Sequence, residues 1–514
     1  MEVFEFVLLL LAAAVGLSAL ARRIGAPYPA LLALGGAAIA LTPFSASLDL
    51  DPALVLALFL APVLLDAAFD APLRDLKINW MPLAGLVFVA VGLTTAAVAA
   101  LACFLIPDLP VAAAVALGAI VAPPDAAAAS VVLRAVKPPH RLLVILEGES
   151  LLNDASALLL YRAAVSAAMA GKGIGALALA PELALSVVGS LMMGFILAQS
   201  VQRVMIRVSH VSSSIVLQFV STWGVWILAD RLGLSPVLTI VVYGMILGRF
   251  SPAHSPANIR VPSYAVWDTA VMVLNALAFV LIGLQLRPIL ATAPPGALIS
   301  YAVFGGAVLA ACILIRLIWI MAYTGAVRLA SGRLSSGARR LDKLPTWSNA
   351  LVASWCGMRG MLTLVTALAL PAGFPHRDLI LFAAFAVTFG TLTIQGLTLR
   401  PLMLRLRLAP DDLVEREVQS GRSELADVAR HALDGHTGPE ADFLRSQLHA
   451  QRAAASGAED GEGASAFRIQ ALRRLTLDGR RARLLELRRT GVVGDDAFHR
   501  LEEELDLADL NRSG

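Results

Sequence analysis

A chain of 514 residues that is 58% hydrophobic and 15% charged, with a mean hydropathy of +0.75, exposes too much apolar surface to stay soluble. It is read as a polytopic membrane protein of all-α class. The net charge of +3 conceals a split: residues 1–409 hold 26 Lys and Arg against 17 Asp and Glu, while residues 410–514 hold 15 against 21. A basic membrane domain, 1–409, is therefore followed by an acidic soluble tail, 410–514. Cys103, Cys312 and Cys356 lie in apolar runs without metal or redox spacing, so neither a disulfide framework nor a zinc site is implied.

In chain order, the hydrophobic runs of spanning length number about thirteen. They fall at 3–20, 28–44, 52–69, 80–106, 111–133, 143–169, 174–200, 212–229, 234–248, 263–286, 296–327, 347–370 and 377–402. Glu2 and Glu5 stand where a secretory signal would be basic, so the first run is expected to be a retained helix. With the N-terminus outside, 19 basic residues, among them Arg74, Lys77, Arg134 and Arg141, fall in cytoplasmic loops against five outside. That asymmetry sets the orientation and makes the tail cytoplasmic.

Two runs carry interruptions. "VAPPDAAAA" (121–129) places Pro123 and Pro124 where a regular helix cannot continue, and "SWCGMRGML" (354–362) sets Arg359 between Gly357 and Gly360. With the seventh span as a linker, each interrupted helix is the fifth of a six-helix half, and the halves start on opposite sides of the membrane. Paired interrupted helices in inverted repeats point to a transporter's midplane site.

"LEGESLLND" (146–154) puts dense polarity inside an apolar run. At helical spacing Glu147, Ser150 and Asp154 fall within about 60° of one another, and Glu149 and Asn153 continue that arc. Leu151, Leu152 and Ala155 point the other way. Buried charge in a bilayer costs about 2.5–3.5 kcal/mol even on lenient scales, so residues of this kind need partners or a function. Asp125, Glu149 and Asp154, with Asp66 at the end of "LAPVLLDAAFD", outnumber the deep Arg359. Glu149 with Arg359 reads as a neutralising ion pair, although Arg359 could instead offset the negative helix ends at the break. Asp154 has no evident partner, and a buried unpaired carboxylate resists ionisation, so it can hold either a proton or a cation. Ser150 and Asn153 add neutral oxygens, and Asp125 sits where freed backbone carbonyls can also coordinate. Asp66 stays between a partner of this network and a helix-end charge, and Arg316 in "LIRLIWI" reads as a structural anchor. No phosphate loop, H-E-x-x-H or G-x-S-x-G pattern occurs, so the chain is not expected to be an enzyme and any transport is driven by gradients.

These residues resemble the monovalent cation:proton antiporters, specifically the sodium/proton exchanger branch marked by an Asn-Asp pair. "EGESLLNDASALLL" is similar to that branch's sixth-span signature, "GMRGMLTLVTALALP" (357–371) to its arginine-bearing twelfth span, and "FVLIGLQL" and "VTFGTLTIQGLTLRPL" match in place. The resemblance covers roughly 1–405. It implies thirteen helices, a mobile core against a dimerisation domain, a homodimer in the inner membrane, and electroneutral one-for-one exchange. Asp154 would be the carboxylate shared by cation and proton, with Ser150, Asp125 and the Pro124 carbonyl as co-ligands. Glu149 and Arg359 would form the structural ion pair, and Asn153 would hold the crossing with Asp66. The chain departs from the branch at Pro124, which replaces a threonine, and at Asp66, which replaces a glutamate. A potassium/proton antiporter of the same fold, a cation channel and a sensor are the rival readings. The expected partners are the transported ions and lipid, with no cofactor and no nucleic acid.

In the tail, "DDLVEREVQSGRSELADVARHAL" reads as an amphipathic helix after Pro410, "GAEDGEGASA" (457–466) as a flexible linker, and the remainder as two helices about a Gly-Val-Val-Gly turn. A tail of this kind regulates, stabilises a dimer, or is a solvated appendage whose partner is unknown.

Overall fold

The computed structural model describes residues 2–24, 27–42, 51–136, 138–170, 176–254, 256–292, 294, 296–334, 346–408, 411 and 413–456, with 479, 480, 482–484, 486 and 501 beyond them. The chain divides into two compact units, Met1–Pro410 and Asp411–Gly514.

In the first unit every described element is a helix. In order they are α1 (Glu2–Ile24), α2 (Tyr28–Ala40), α3 (Pro52–Phe69), α4 (Leu73–Ile78), α5 (Trp80–Leu105), α6 (Val111–Val121) and α7 (Ala126–Val136). There follow α8 (His140–Met169), α9 (Ala176–Met205), α10 (Val211–Arg231), α11 (Pro236–His254), α12 (Ala257–Leu284) and α13 (Leu286–Thr292). The last are α14 (Leu298–Leu334), α15 (Trp347–Trp355), α16 (Met361–Leu368) and α17 (Arg377–Leu406). Each expected hydrophobic run coincides with a helix, and the runs at 111–133 and 347–370 coincide with two helices each, α6 with α7 and α15 with α16. Among the described residues seven helices are long and apolar enough to cross a membrane, and shorter apolar ones accompany them. Phe88, Phe104, Phe195, Ile299 and Ile318 are exposed on these helices, as a hydrocarbon solvent would favour.

Local chemistry explains most boundaries. Asp51 caps α3, its carboxylate accepting the Ala53 N–H at 2.9 Å, with Pro52 in the first turn. Thr346 caps α15 by accepting the Asn349 N–H at 3.2 Å. The connection "LGLS" between α10 and α11 turns at Gly233, whose φ of +69° lies in the left-handed region that glycine enters without strain. The sequence did not foretell the wider π turns at Leu56–Leu60 in α3 and Gly85–Ala90 in α5.

Packing in this unit depends on small residues. At the α2–α12 contact a Cβ on Gly36 would overlap the Val280 carbonyl, and one on Gly283 would overlap that of Ala33, so the two backbones touch. Buried residues Leu32, Ala33, Phe279, Val280 and Ile282 fill this seam and join a core that includes Met358 and Leu392.

In the second unit α18 (Leu413–Ala432) and α19 (Pro439–Ser456) form a hairpin. Arg445 latches its turn, donating to the Leu433 and His436 carbonyls at 2.8 Å each and to Asp442 at 2.8 Å. The expected amphipathic helix after Pro410 is α18, whereas α19 was not anticipated. The linker at 457–466 lies outside the described residues, and so does nearly all of the stretch read as two helices about the Gly-Val-Val-Gly turn.

Candidate functional site

The two interruptions meet. Residues 123–125 and 357–360 lie outside any helix, and the Asp125 N–H donates to the Met358 carbonyl at 2.7 Å, joining one break to the other. A Cβ on Gly360 would collide with the Asp125 carboxylate, so this approach requires glycine. Asp125 precedes the first residue of α7, where the positive end of the helix dipole favours an anion. The carboxyl ends of α6 and α15 fall at the same two breaks and present partial negative charge there. Arg359, 1% exposed, occupies that region, and its N–H donates to Thr391 Oγ1 at 2.9 Å. Among the described residues no hydrogen-bond partner reaches its Nε or Nη1.

Helix α8 runs beside the breaks and offers two different polar faces. On one, Asn153, fully buried, donates from Nδ2 to the Pro124 carbonyl at 3.1 Å and holds the break. Glu149, 1% exposed, takes both Nη groups of Arg316 in α14, one of them at 2.8 Å. Arg316 also donates to the Ala353 carbonyl through Nη2 at 3.1 Å and Nε at 3.3 Å, so the pair ties α8, α14 and α15 together. This corrects the expected Glu149–Arg359 pair. Two arginines lie deep in the unit, and the one on the continuous helix presents its fork squarely to the carboxylate, while the backbone of Arg359 is fixed by Thr391.

The other face of α8 lines a cavity of about 350 Å³. Glu147, Ser150, Leu151 and Asp154 contribute from α8, Pro123, Pro124 and Asp125 from the first break, Asp66 and Asp70 from the end of α3, and Gly360 and Thr363 from the second break and α16. The structure thus gathers Asp154, Asp125, Ser150, Pro124 and Asp66 around one space, with Asn153, Glu149 and Arg359 among the buried residues that do not line it. Leu151, expected to point away, also lines it. Asp154 is buried, and the Arg316 that could have neutralised it is taken by Glu149. A larger cavity of about 680 Å³ between α3 and the α9–α12 helices shares Asp66 and Asp70 but reaches none of Asp125, Ser150 and Asp154, so its size carries no weight here.

Sequence reasoning read Arg316 rightly as a structural anchor but did not see it as the partner of Glu149, and it missed Thr363. The same signal that singled out Arg359, a lone arginine deep in an apolar run, was present at Arg316. Thr363 gave no signal, because threonines inside apolar helices are ordinary.

Carboxylates and hydroxyls around a small cavity suit a hard monovalent cation held loosely enough to leave again. Among the described residues no cluster of three or more His, Cys, Asp or Glu stands ready to hold a metal tightly. A helical membrane protein whose two broken helices join beside a buried, unneutralised carboxylate is a secondary ion transporter. The chain belongs to the sodium/hydrogen exchanger family, whose transmembrane region matches residues 7–405, and it is a transporter rather than an enzyme. An uncharacterized Na+/H+ exchanger of Mycobacterium tuberculosis is 29% identical over 98% of this chain and 94% of its own. The Na+/H+ antiporter NhaH of Halobacillus dabanensis is 28% identical over 79% of this chain and 98% of its own. The fold is shared with the sodium proton antiporter MjNhaP1 from Methanocaldococcus jannaschii, with a TM-score of 0.58 and 17% identity over 79% of this chain and 99% of that one.

Proposed function

We propose that this protein exchanges one sodium ion for one proton by alternating access, the two competing for Asp154. The observation that carries the reading is the division of labour on α8: Glu149 is sealed with Arg316, while Asp154 lines the cavity with Asp125 and Ser150. Charge accounting supports the stoichiometry. Arg316 balances Glu149, whereas Asp154 has no such arginine, so its charge is cancelled either by a proton or by a monovalent cation. One exchangeable charge gives electroneutral exchange.

The expected thirteen spans, the two inverted halves, the external N-terminus and the cytoplasmic tail belong to this reading, as does a homodimer in the cell membrane. The cavity's Asp70–Pro72 end lies beside Arg74 and Lys77, which the positive-inside rule assigns to the cytoplasm, and so supports an inward-open site. Everted vesicles with a pH-sensitive dye test the mechanism. Sodium should release protons from wild-type vesicles, Asp154→Asn should not respond, and retained exchange in that variant would refute the role of Asp154.

Potassium is the second substrate to weigh. Pro124 offers no side-chain oxygen, and a Bacillus pumilus relative, 28% identical over 78% of this chain and 61% of its own, is a sodium, potassium, lithium and rubidium/H+ antiporter. Titrating the four ions in the same vesicles separates a sodium-selective protein from a broad one.

A further inference from the structure

Threonines within apolar helices normally satisfy their hydroxyl on the carbonyl four residues earlier. Thr222, Thr239, Thr366, Thr388 and Thr391 all do so here, at 2.6–2.9 Å. Thr363 does not. It lies in the first turn of α16, and the residue four positions before it, Arg359, belongs to the non-helical break, so no helical carbonyl lies behind the hydroxyl. The side chain is nevertheless 1% exposed, and among the described residues its Oγ1 has no partner. Leaving a buried hydroxyl unpaired is unfavourable, and such a group marks a place where something else binds. Thr95 also has an orphaned hydroxyl, but it does not line the cavity, whereas Thr363 does, together with Asp125, Ser150 and Asp154.

We propose that Thr363 is a cation-binding residue of the exchange site, its hydroxyl oxygen completing the coordination supplied by Asp154, Asp125 and Ser150. This rests on the antiporter reading above and extends it to the second broken helix. Pro124 has no side-chain oxygen, and its carbonyl is engaged by Asn153. The first break therefore contributes a carboxylate but no hydroxyl, and the neutral side-chain ligands come from α8 and α16. A cation seated there touches both broken helices, so its arrival and departure are felt on both sides of the Asp125–Met358 junction. A hydroxyl also accepts protons weakly compared with a carboxylate. Thr363 therefore discriminates between cations without competing for the transported proton.

Thr363→Val and Thr363→Ser, compared with wild type, test this in two assays. In vesicles, Thr363→Val should raise the apparent KM for sodium about 3- to 15-fold at an undiminished maximal rate, the loss of one neutral ligand, and Thr363→Ser should restore it. In purified protein, Thr363→Val should melt no lower than wild type without sodium, because an orphaned hydroxyl has been removed. The stabilisation gained on adding sodium should shrink, and Thr363→Ser should retain it. An unchanged KM and an unchanged sodium-induced shift in Thr363→Val would overturn the proposal. A lowered ion-free melting temperature with lost turnover in both variants would assign Thr363 to packing and overturn it equally. Failure of wild-type vesicles to couple sodium to protons would refute the antiporter reading instead, while the sodium-induced shift still decides the role of Thr363.

Discussion

Glu149 and Asp154 stand five residues apart on one helix, both acidic and both buried, yet their surroundings are opposite. Glu149 is gripped by the guanidinium of Arg316 and does not line the cavity, whereas Asp154 borders it with no arginine of its own. Sequence composition makes them equivalent; the partner makes one a rivet and leaves the other open to the exchange proposed above. A buried carboxylate serves structure when its countercharge is fixed, and transport when its countercharge can leave.

The contrast can be broken most forcefully at the rivet. Arg316→Ala leaves Glu149 buried and unpaired and should destabilise the protein by about 3–5 kcal/mol. Thermal melting in detergent reads that loss, and the double variant Glu149→Gln with Arg316→Met should recover most of it. Asp154→Asn sharpens the opposite side: all cation-driven proton release is lost, while the melting temperature stays at or above that of wild type. Gly360→Ala intrudes on Asp125 and should cost about 1–3 kcal/mol by overpacking, with exchange lost before the fold is. Asn153→Ala removes the bond to the Pro124 carbonyl and should cost about 1–3 kcal/mol, with a reduced maximal rate in vesicles.

The smallest effect is expected outside the spans. Asp75 in α4 receives a hydrogen bond from His140 at the start of α8, which, with Arg74, holds its carboxyl below the usual carboxylate range. A carboxylate whose folded value lies below its unfolded one adds stability above that unfolded value and loses it as pH falls through the folded one. Asp75→Asn should therefore melt slightly lower than wild type at neutral pH, and the difference should begin to shrink as pH falls below about 4.

The helices and their breaks were legible because prolines 123 and 124 and glycines 357 and 360 act locally, through the backbone itself. The polar face of α8 was legible for a similar reason, since helical periodicity alone groups Glu147, Ser150 and Asp154. The partner of Glu149 was not. Choosing between Arg316 and Arg359 depends on how α14 and the second break pack, which is set by contacts between residues more than 150 positions apart. Thr363 was hidden for the converse reason: its residue type is unremarkable, and only the missing carbonyl behind it makes its hydroxyl available. In the tail, α19 carried readable signals, Pro439 in its first turn with Glu440 and Asp442, which outweigh its weak apolar pattern.

The bond from the Asp125 N–H to the Met358 carbonyl, together with that from Asn153 to the Pro124 carbonyl, builds the junction from main chain and one amide. No side chain at position 124 takes part in these bonds. A different side chain at position 124 would therefore leave both bonds in place, and the frame around the cavity would endure. If the cavity is the exchange site proposed above, single substitutions in its wall can retune which ion it prefers without rebuilding the fold.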